Sequence, residues 1–183
     1  NLNPPGQVDC NNSSITIGGT ISGSGTFNIN WTTTNGNIVS GGNTMNPTVD
    51  QAGTYTVLVT NSENGCTAEE SVTVQEDLTE PTAMVLNPDE INCDMLNVVL
   101  DGTGSTTGPN INYQWTGPSI VSGGNTLTPT VSGGGSYTLI VTNSQNGCTD
   151  EAMVNVPEDT TPPPAQIVPP LQLDCNNTEI SLD

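Results

Sequence analysis

The chain of 183 residues carries 19 acidic residues and no lysine, arginine or histidine. Nucleic acids and anionic membranes are bound through lysine and arginine, so this composition excludes both as partners. It also removes the side chains that usually act as a base near neutral pH, form a Schiff base or bind a metal through imidazole, which argues against an enzyme. No apolar run is long enough to be inserted across a bilayer.

The sequence repeats itself at the scale of a small domain. Cys10 and Cys93 are 83 positions apart, Cys93 and Cys175 are 82 apart, and Cys66 and Cys148 are 82 apart. Short sequence motifs recur at one or two such intervals: Ser40–Thr44 as Ser122–Thr126, Val59–Ser62 as Val141–Ser144, Asn64–Thr67 as Asn146–Thr149, and Asp9–Asn12 as Asp174–Asn177. This periodicity predicts a segment cut from an array. Its expected units are 1–80, truncated at the N-terminus, 81–163, and 164–183, the start of a third.

Apolar residues alternate along each unit with the period of two that is typical of half-buried strands. In the second unit this pattern predicts seven strands in chain order: A near 83–92, B 96–102, C 111–116, D 118–122, E 126–131, F 136–143 and G 149–156. Clusters of glycine, asparagine, serine and proline separate them, and no helical periodicity extends beyond a turn. Seven short strands with one tryptophan on strand C predict an all-β fold of tandem immunoglobulin-like antiparallel β-sandwich repeats.

Tyrosines and prolines give further information about strands F and E. Tyr55 and Tyr137 open strand F after a glycine, which resembles the tyrosine corner of such sandwiches but also suits an ordinary core position. Pro47 and Pro129 fall inside strand E and cannot donate a ladder hydrogen bond, so strand E is expected at a sheet edge or at a bulge.

The segments between the units, 75–81 and 157–164, are short and acidic. They read Gln-Glu-Asp-Leu-Thr-Glu-Pro and Pro-Glu-Asp-Thr-Thr-Pro-Pro-Pro. Linkers stiffened by proline act as semi-rigid spacers, so the expected assembly is an extended rod.

Several motifs of this sequence resemble those of a known group of proteins. They are Tyr137–Asn143 followed by Asn146–Thr149, the cysteine of Ile91–Cys93 ahead of strand B, and the linker Glu158–Pro163. Over essentially the whole chain, they resemble the tandem immunoglobulin-like or PKD-like repeats of giant secreted surface proteins of Bacteroidota, including gliding-motility adhesins. The resemblance implies export by the type IX route and an extracellular place at the cell surface. It specifies the module rather than an activity.

Five cysteines in an exported all-β array predict disulfides, and two pairing schemes are open. By analogy with immunoglobulin domains, the pairs are Cys10–Cys66 and Cys93–Cys148. Strand parity argues otherwise, because five antiparallel strands separate Cys93 from Cys148 and place them about 20 Å apart, whereas a disulfide needs Cα atoms within about 7 Å. We therefore predict Cys10–Cys148 between units, with Cys66, Cys93 and Cys175 paired outside this segment. No cysteine pair has the close spacing of a zinc site.

The carboxylates are the other candidates for a site. Glu76, Asp77 and Glu80 crowd one linker, and Glu158 and Asp159 crowd the next. With no cationic side chain present, solvent, salt or a metal must relieve their repulsion, and loop oxygens suit calcium. The hypothesis is calcium at the junctions, and its alternative is a solvated acidic surface. No EF-hand loop is present, and no insertion forms the cleft that a paired-acid glycosidase needs.

Two patterns indicate modification. Thr160 lies in Asp-Thr-Thr, which resembles the O-glycosylation site that Bacteroidota use on exported proteins. The Asn-x-Ser/Thr acceptor pattern occurs at Asn11, Asn12 and Asn176.

The expected function is that of a non-enzymatic structural or stalk segment of a long extracellular adhesin or filament, which projects a distal binding region and bears tension. Its partners would be neighbouring repeats, with surface glycans or other copies in a fibre as further candidates. The alternatives are a carbohydrate-binding module of a secreted polysaccharide-degrading protein and a self-assembling extracellular fibre subunit. Trp31 and Trp115 could stack on sugars, but their matching places on strand C favour core filling.

Overall fold

The computed structural model describes residues 1–166, which form fifteen β-strands and no helix. Within this range there is accordingly no helix that could cross a membrane. The first seven strands are β1 (Gln7–Asp9), β2 (Ile15–Thr16), β3 (Phe27–Thr33), β4 (Ile38–Ser40), β5 (Thr48–Val49), β6 (Gly53–Asn61) and β7 (Thr67–Asp77). The others are β8 (Ile91–Asn92), β9 (Val98–Val99), β10 (Ile111–Thr116), β11 (Ile120–Ser122), β12 (Thr130–Val131), β13 (Gly135–Asn143), β14 (Thr149–Val156) and β15 (Glu158–Asp159).

The first seven strands form two sheets. One has the order β1-β7-β6-β3 and the other the order β2-β5-β4. β1 runs parallel to β7, and the remaining pairs are antiparallel. The longest ladder joins β6 to β7, from Gly53 opposite Val74 to Thr60 opposite Thr67.

The second set repeats this arrangement. Its sheets have the orders β10-β13-β14 and β11-β12-β9, and β8 pairs in parallel with β15. The parallel register is the same in both sets, because Val8 lies opposite Glu76 and Ile91 lies opposite Glu158. Pro157, which has no backbone N–H, separates β14 from β15, whereas β7 runs through the matching position without a break.

Each set encloses one hydrophobic core to which both of its sheets contribute, and this makes each a two-layer sandwich of the immunoglobulin kind. The buried residues of the first core are Val8, Ile17, Trp31, Val49, Tyr55, Val57 and Val74. Those of the second are Ile91, Val98, Leu100, Trp115, Val131, Tyr137, Leu139, Val141, Val154 and Val156. The all-β sandwich predicted from the alternating pattern is therefore confirmed.

The position of strand E differs from the prediction. β5 and β12 begin just after Pro47 and Pro129 and lie at the centre of their sheets, so the expectation of an edge strand was wrong. The prolines contribute only their carbonyls, as when Pro129 O accepts from Leu100 N at 2.9 Å, which explains why these strands are shorter than predicted. A register shift does occur where β12 pairs with β11.

Strand A also differs, because only residues 91–92 of the predicted 83–92 form a strand. The preceding segment is held instead by single hydrogen bonds. Leu86 N donates to Asp101 O, and Met84 N donates to the Ser105 hydroxyl, both at 2.9 Å. This segment therefore packs along the second sandwich without joining a ladder.

Candidate functional site

The two sandwiches are joined by a disulfide between Cys10 and Cys148, whose Cα atoms are 5.0 Å apart. Cys10 follows β1 in the first repeat, and Cys148 precedes β14 in the second. Because 138 positions separate the two cysteines, the bond encloses most of both repeats. We call the surroundings of this bond the junction.

A tight turn between β13 and β14 presents Cys148. Gly147 N donates to Asn143 O at 2.8 Å, and Asn143 N donates to Cys148 O at 2.9 Å. Gly147 has φ of +76°, a left-handed conformation that glycine adopts without steric cost. Within the turn, the side-chain oxygen of Asn146 accepts from Cys148 N at 3.0 Å, and this bond sets the direction of the cysteine.

A second turn, after β1, presents Cys10. Asp9 N donates to Asn12 O at 3.0 Å, and Asn12 N donates to the Asp9 carboxylate at 2.7 Å. Short polar side chains favour such turns because they bond to the backbone two or three residues on.

Hydrogen bonds reinforce the junction around the disulfide. Asn11 N donates to Asn146 O at 3.2 Å, and the Asn146 amide donates to Thr79 O, in the linker, at 3.0 Å. Asn146 is only 1% exposed, yet both ends of its side chain are hydrogen-bonded. The buried side-chain amide thus joins its own turn to the linker, and the main-chain carbonyl of the same residue joins that turn to the preceding repeat.

Asp77 lies at the edge of the junction and remains charged. The Thr79 N–H donates to its carboxylate at 3.1 Å. This bond, then the Thr79 hydroxyl and the Asn146 amide, hold the pKa of Asp77 below its usual value.

The remaining cysteines fall into two groups. Cys66 and Cys93 are exposed and carry no disulfide within residues 1–166, so the alternative pairs Cys10–Cys66 and Cys93–Cys148 are not those of the structure. Cys175 lies outside the described residues. That Cys66, Cys93 and Cys175 pair with further repeats stays a prediction.

The acidic residues proposed for calcium do not converge. Among residues 1–166, no three carboxylate, thiol or imidazole groups are placed to hold a metal ion. Instead they bond to backbone N–H groups, with Glu76 accepting from Ala52, Glu158 from Gly134 and Asp159 from Thr161. Glu80 is exposed. The arrangement does not fit the six to eight oxygen ligands of calcium.

The aromatic residues serve the cores. The Trp31 and Trp115 indoles are each 4% exposed and donate to Thr44 O and Thr126 O at 2.9 Å, so neither ring is free to stack on a sugar. The Tyr55 and Tyr137 hydroxyls donate to the carbonyls of Gln51 and Gly133, four residues upstream, at 2.7 Å. This is the hydrogen bond of a tyrosine corner.

The candidate modification sites that lie within residues 1–166 are exposed to solvent. Thr160 is exposed, as are Asn11 and Asn12, whereas Asn176 lies outside the described residues. Asn11 takes part in the junction through its backbone, so a glycan on its side chain would stand against the Asn146 turn.

Sequence reasoning missed Asn146 and Thr79 as parts of the junction. The signal was present, because Asn-Gly-Cys-Thr occurs in both repeats and places an amide two residues before each cysteine. The repeated motif does not indicate that its second copy is covered by the preceding repeat whereas its first copy is exposed.

Comparisons with protein families and with curated proteins gave no match. Solved structures are similar in fold. Extracellular domains 3–5 of Drosophila OTK are 16% identical over 87% of this chain and 62% of that chain, with a TM-score of 0.45. The three N-terminal domains of the Highly Immunogenic Outer Capsid protein of bacteriophage RB49 are 19% identical over 83% of this chain and 55% of that chain, with a TM-score of 0.39. Murine CEACAM1b is 14% identical over 86% of this chain and 98% of that chain, with a TM-score of 0.37.

This chain thus spans 62% and 55% of the length of the first two structures. At these identities the likeness concerns the fold, and it extends to no ligand or activity.

Proposed function

We propose that this chain is a non-enzymatic stalk segment of a long extracellular adhesin or filament, in which sandwich repeats are tied end to end and transmit tension. The observation that carries the proposal is the Cys10–Cys148 disulfide, which joins successive repeats. The proposed units remain 1–80, 81–163 and 164–183. The first two units are supported by the two cores, whose residues come from within 2–74 and 83–156.

The disulfide changes the path that tension takes through the chain. Pulling on the two ends loads residues 1–10, then the sulfur bridge, and then the chain from Cys148 onward. The interval of 138 positions between the cysteines is bypassed. At about 3.5 Å per extended residue, about 480 Å of chain is kept from extending. Both cores lie mainly in the bypassed part, so the segment keeps its length under load.

The hydrogen bonds of the junction add resistance to bending. Asn146 links its own turn to the linker at Thr79, and Asn11 links the preceding repeat to the same turn. A proline-containing linker held at such points supports a semi-rigid rod rather than freely jointed units.

The proposed location is the cell surface of a member of the Bacteroidota, reached by type IX export. The resemblance of the repeats to those of secreted surface proteins supports this. A disulfide suits an oxidising compartment outside the cell, and a net charge of −19 favours solubility there. Thr160 is the proposed O-glycan acceptor, and surface glycans are proposed distal partners.

Single-molecule force spectroscopy, with handles at the two termini, tests the stalk function. Oxidised protein should lack about 480 Å of unfolding length that appears after reduction. The matched control is Cys66→Ser with Cys93→Ser, which should behave like the unmodified oxidised protein because neither residue belongs to the described disulfide. Equal unfolding lengths before and after reduction would overturn the proposal.

A carbohydrate-binding module is not favoured, because the residues that would stack on a sugar are buried in the two cores.

A further inference from the structure

The second sandwich carries apolar side chains on the outside of its smaller sheet. In the segment before β8, Val85 packs against the core, whereas Met84 and Leu86 on either side of it are exposed. Val99, at the end of β9, is 57% exposed, and the next residue, Leu100, is fully buried. Successive side chains of an extended segment point to opposite faces, so the three exposed residues all lie on the outer face.

A backbone hydrogen bond brings these residues together with a carboxylate. Leu86 N donates to Asp101 O at 2.9 Å, which places the segment before β8 alongside the chain that leaves β9. Asp101 follows Val99 by two residues, so both side chains lie on the outer face. We call these neighbours the lateral patch: Met84, Leu86, Val99 and Asp101.

The Asp101 carboxylate is held in place, charged and without a cationic side chain beside it. The hydroxyl and the N–H of Thr103 donate to its Oδ1 at 2.6 and 2.9 Å, and they hold the pKa of Asp101 below its usual value. Neither bond uses Oδ2. The chain has no lysine, arginine or histidine, so a cationic side chain for Oδ2 must come from another molecule.

The first sandwich has other residues at the matching places. The matches follow from the shared backbone hydrogen bond and strand register: Asn3 for Leu86, Thr16 for Val99 and Gly18 for Asp101. Both Asn3 and Thr16 are exposed, so the same backbone forms with polar side chains there. The sandwich therefore does not need the leucine, the valine or the carboxylate in order to fold. Neighbouring exposed apolar residues that folding does not require are typical of interaction sites.

Adjacent repeats leave the lateral patch open. Met84, Leu86 and Val99 are exposed although the preceding sandwich is joined to theirs at the junction. Asn3 and Thr16 are exposed although the following sandwich is joined to theirs. The patch is therefore accessible on a sandwich that has a neighbour on either side.

We propose that the lateral patch binds a different protein, through an arginine that the partner presents between apolar side chains. The arginine supplies the charge that Asp101 lacks, and its planar guanidinium pairs well with carboxylates and is more weakly hydrated than an ammonium group. The flanking side chains cover Leu86 and Val99, and this burial of apolar area supplies affinity. Charge decides against a second copy of this chain, which brings a net charge of −19 and no cationic side chain. The inference goes beyond the proposed function, because it gives the stalk segment a binding site of its own.

The test titrates the full oxidised chain, labelled with ¹⁵N, with a synthetic peptide of this chemistry. The peptide has one arginine between leucines and valines, and its ends are acetylated and amidated. One control peptide has glutamine in place of arginine, and another has serine in place of leucine and valine. Salt at about 0.15 M screens attraction to acidic residues more than about 8 Å away.

Binding should shift the amide signals of residues 84–86 and 99–103 until they saturate, with a Kd of about 1 mM. Both control peptides should bind at least about tenfold more weakly, because each lacks one half of the proposed contact. The amides of Asn3, Thr16 and Gly18 are an internal control and should not shift. No saturation below about 10 mM, equal shifts in both sandwiches, or equal binding of either control peptide would overturn the proposal.

Variants of the chain test the same contact from the other side. Leu86→Asn with Val99→Thr installs the residues with which the first sandwich already folds, and should weaken binding at least about tenfold. Asp101→Asn should weaken binding of the arginine peptide to that of the glutamine peptide. Val39→Thr is the matched control, because it changes a similarly exposed valine of the first sandwich, and should leave the Kd unchanged. Thermal melting checks that each variant is folded. Undiminished binding in the double variant or in Asp101→Asn would overturn the proposal, and neither result bears on the stalk function, which rests on the disulfide.

Discussion

Asn64 and Asn146 occupy the same position in two copies of one turn, but only Asn146 is buried by the neighbouring repeat. Both side chains accept from the cysteine N–H two residues on, at 3.0 Å. Only Asn146 also donates across the junction, to Thr79 O. Comparing the two residues therefore separates the hydrogen bond that stabilises the turn itself from the hydrogen bond that stabilises the junction.

Asn146→Ala should lower the free energy of unfolding by about 2–3 kcal/mol, because it leaves the Thr79 carbonyl and the Cys148 N–H without partners. Asn64→Ala removes a single exposed bond and should cost under about 1 kcal/mol. Denaturant melts of both variants measure the difference. Equal losses would show that the junction bond to Thr79 contributes nothing.

Gly147→Ala and Gly65→Ala form a second matched pair. Both glycines are left-handed, so each alanine introduces backbone strain of about 1–2 kcal/mol. At Gly147 the added methyl would also collide with the Asn11 side chain, whereas at Gly65 it meets open space. Gly147→Ala should therefore cost at least about 1 kcal/mol more than Gly65→Ala. Thermal melting compares them, and indistinguishable midpoints would contradict the contact.

Replacing both Cys10 and Cys148 by serine should destabilise the protein by up to about 5 kcal/mol, because the bond closes a loop of 138 positions. Cys66→Ser with Cys93→Ser is the control and should change the free energy of unfolding by less than about 0.5 kcal/mol, since both are exposed. Comparable losses in the two double variants would argue against the described pairing.

Because the Tyr137 hydroxyl is buried, we expect the folded protein to lose stability at alkaline pH. Burial raises the pKa of its hydroxyl above the usual value of 10.0. The folded state therefore favours the neutral phenol, so this contribution is complete below pH 10 and falls as the pH rises beyond it. Tyr137→Phe loses the bond to Gly133 O, which costs about 1 kcal/mol at neutral pH, and its stability should decline less above pH 10. An unchanged slope in the variant would contradict this role.

Calcium should leave the melting temperature within about 1 °C of that in chelator, because a ligand that does not bind the native state cannot stabilise it. The structure supplies no group of three potential ligands among residues 1–166. Magnesium at equal ionic strength controls for charge screening. A rise specific to calcium would show that the acidic linkers move together to bind it.

The sandwich could be predicted from sequence because its physical basis is local. Alternation along Tyr137, Leu139 and Val141 identifies a half-buried strand, and all three are fully buried. The place of β12 could not be predicted in this way, since a proline removes one ladder bond without revealing whether the strand has neighbours on both sides. That depends on pairing between distant segments.

The junction was harder to predict than the fold. Strand parity depends only on counting strands, so it could favour Cys10–Cys148 over the alternative. The role of Asn146 depends on which copy of a repeated turn is covered by another repeat. Because the motif is identical in both copies, its sequence cannot show which copy is covered. The calcium hypothesis failed to match the geometry for a related reason, because acids that are neighbours in sequence bond separately to nearby backbone groups such as Ala52 and Thr161 N–H.

Disulfide mapping tests the central claim most directly. The chain has no lysine or arginine for trypsin, but cleavage before aspartate places Cys10, Cys66, Cys93 and Cys148 in the separate peptides 9–49, 50–76, 89–93 and 101–149. Mass spectrometry without reduction should find 9–49 linked to 101–149. A link from 9–49 to 50–76, or from 89–93 to 101–149, would contradict the account of repeats tied end to end.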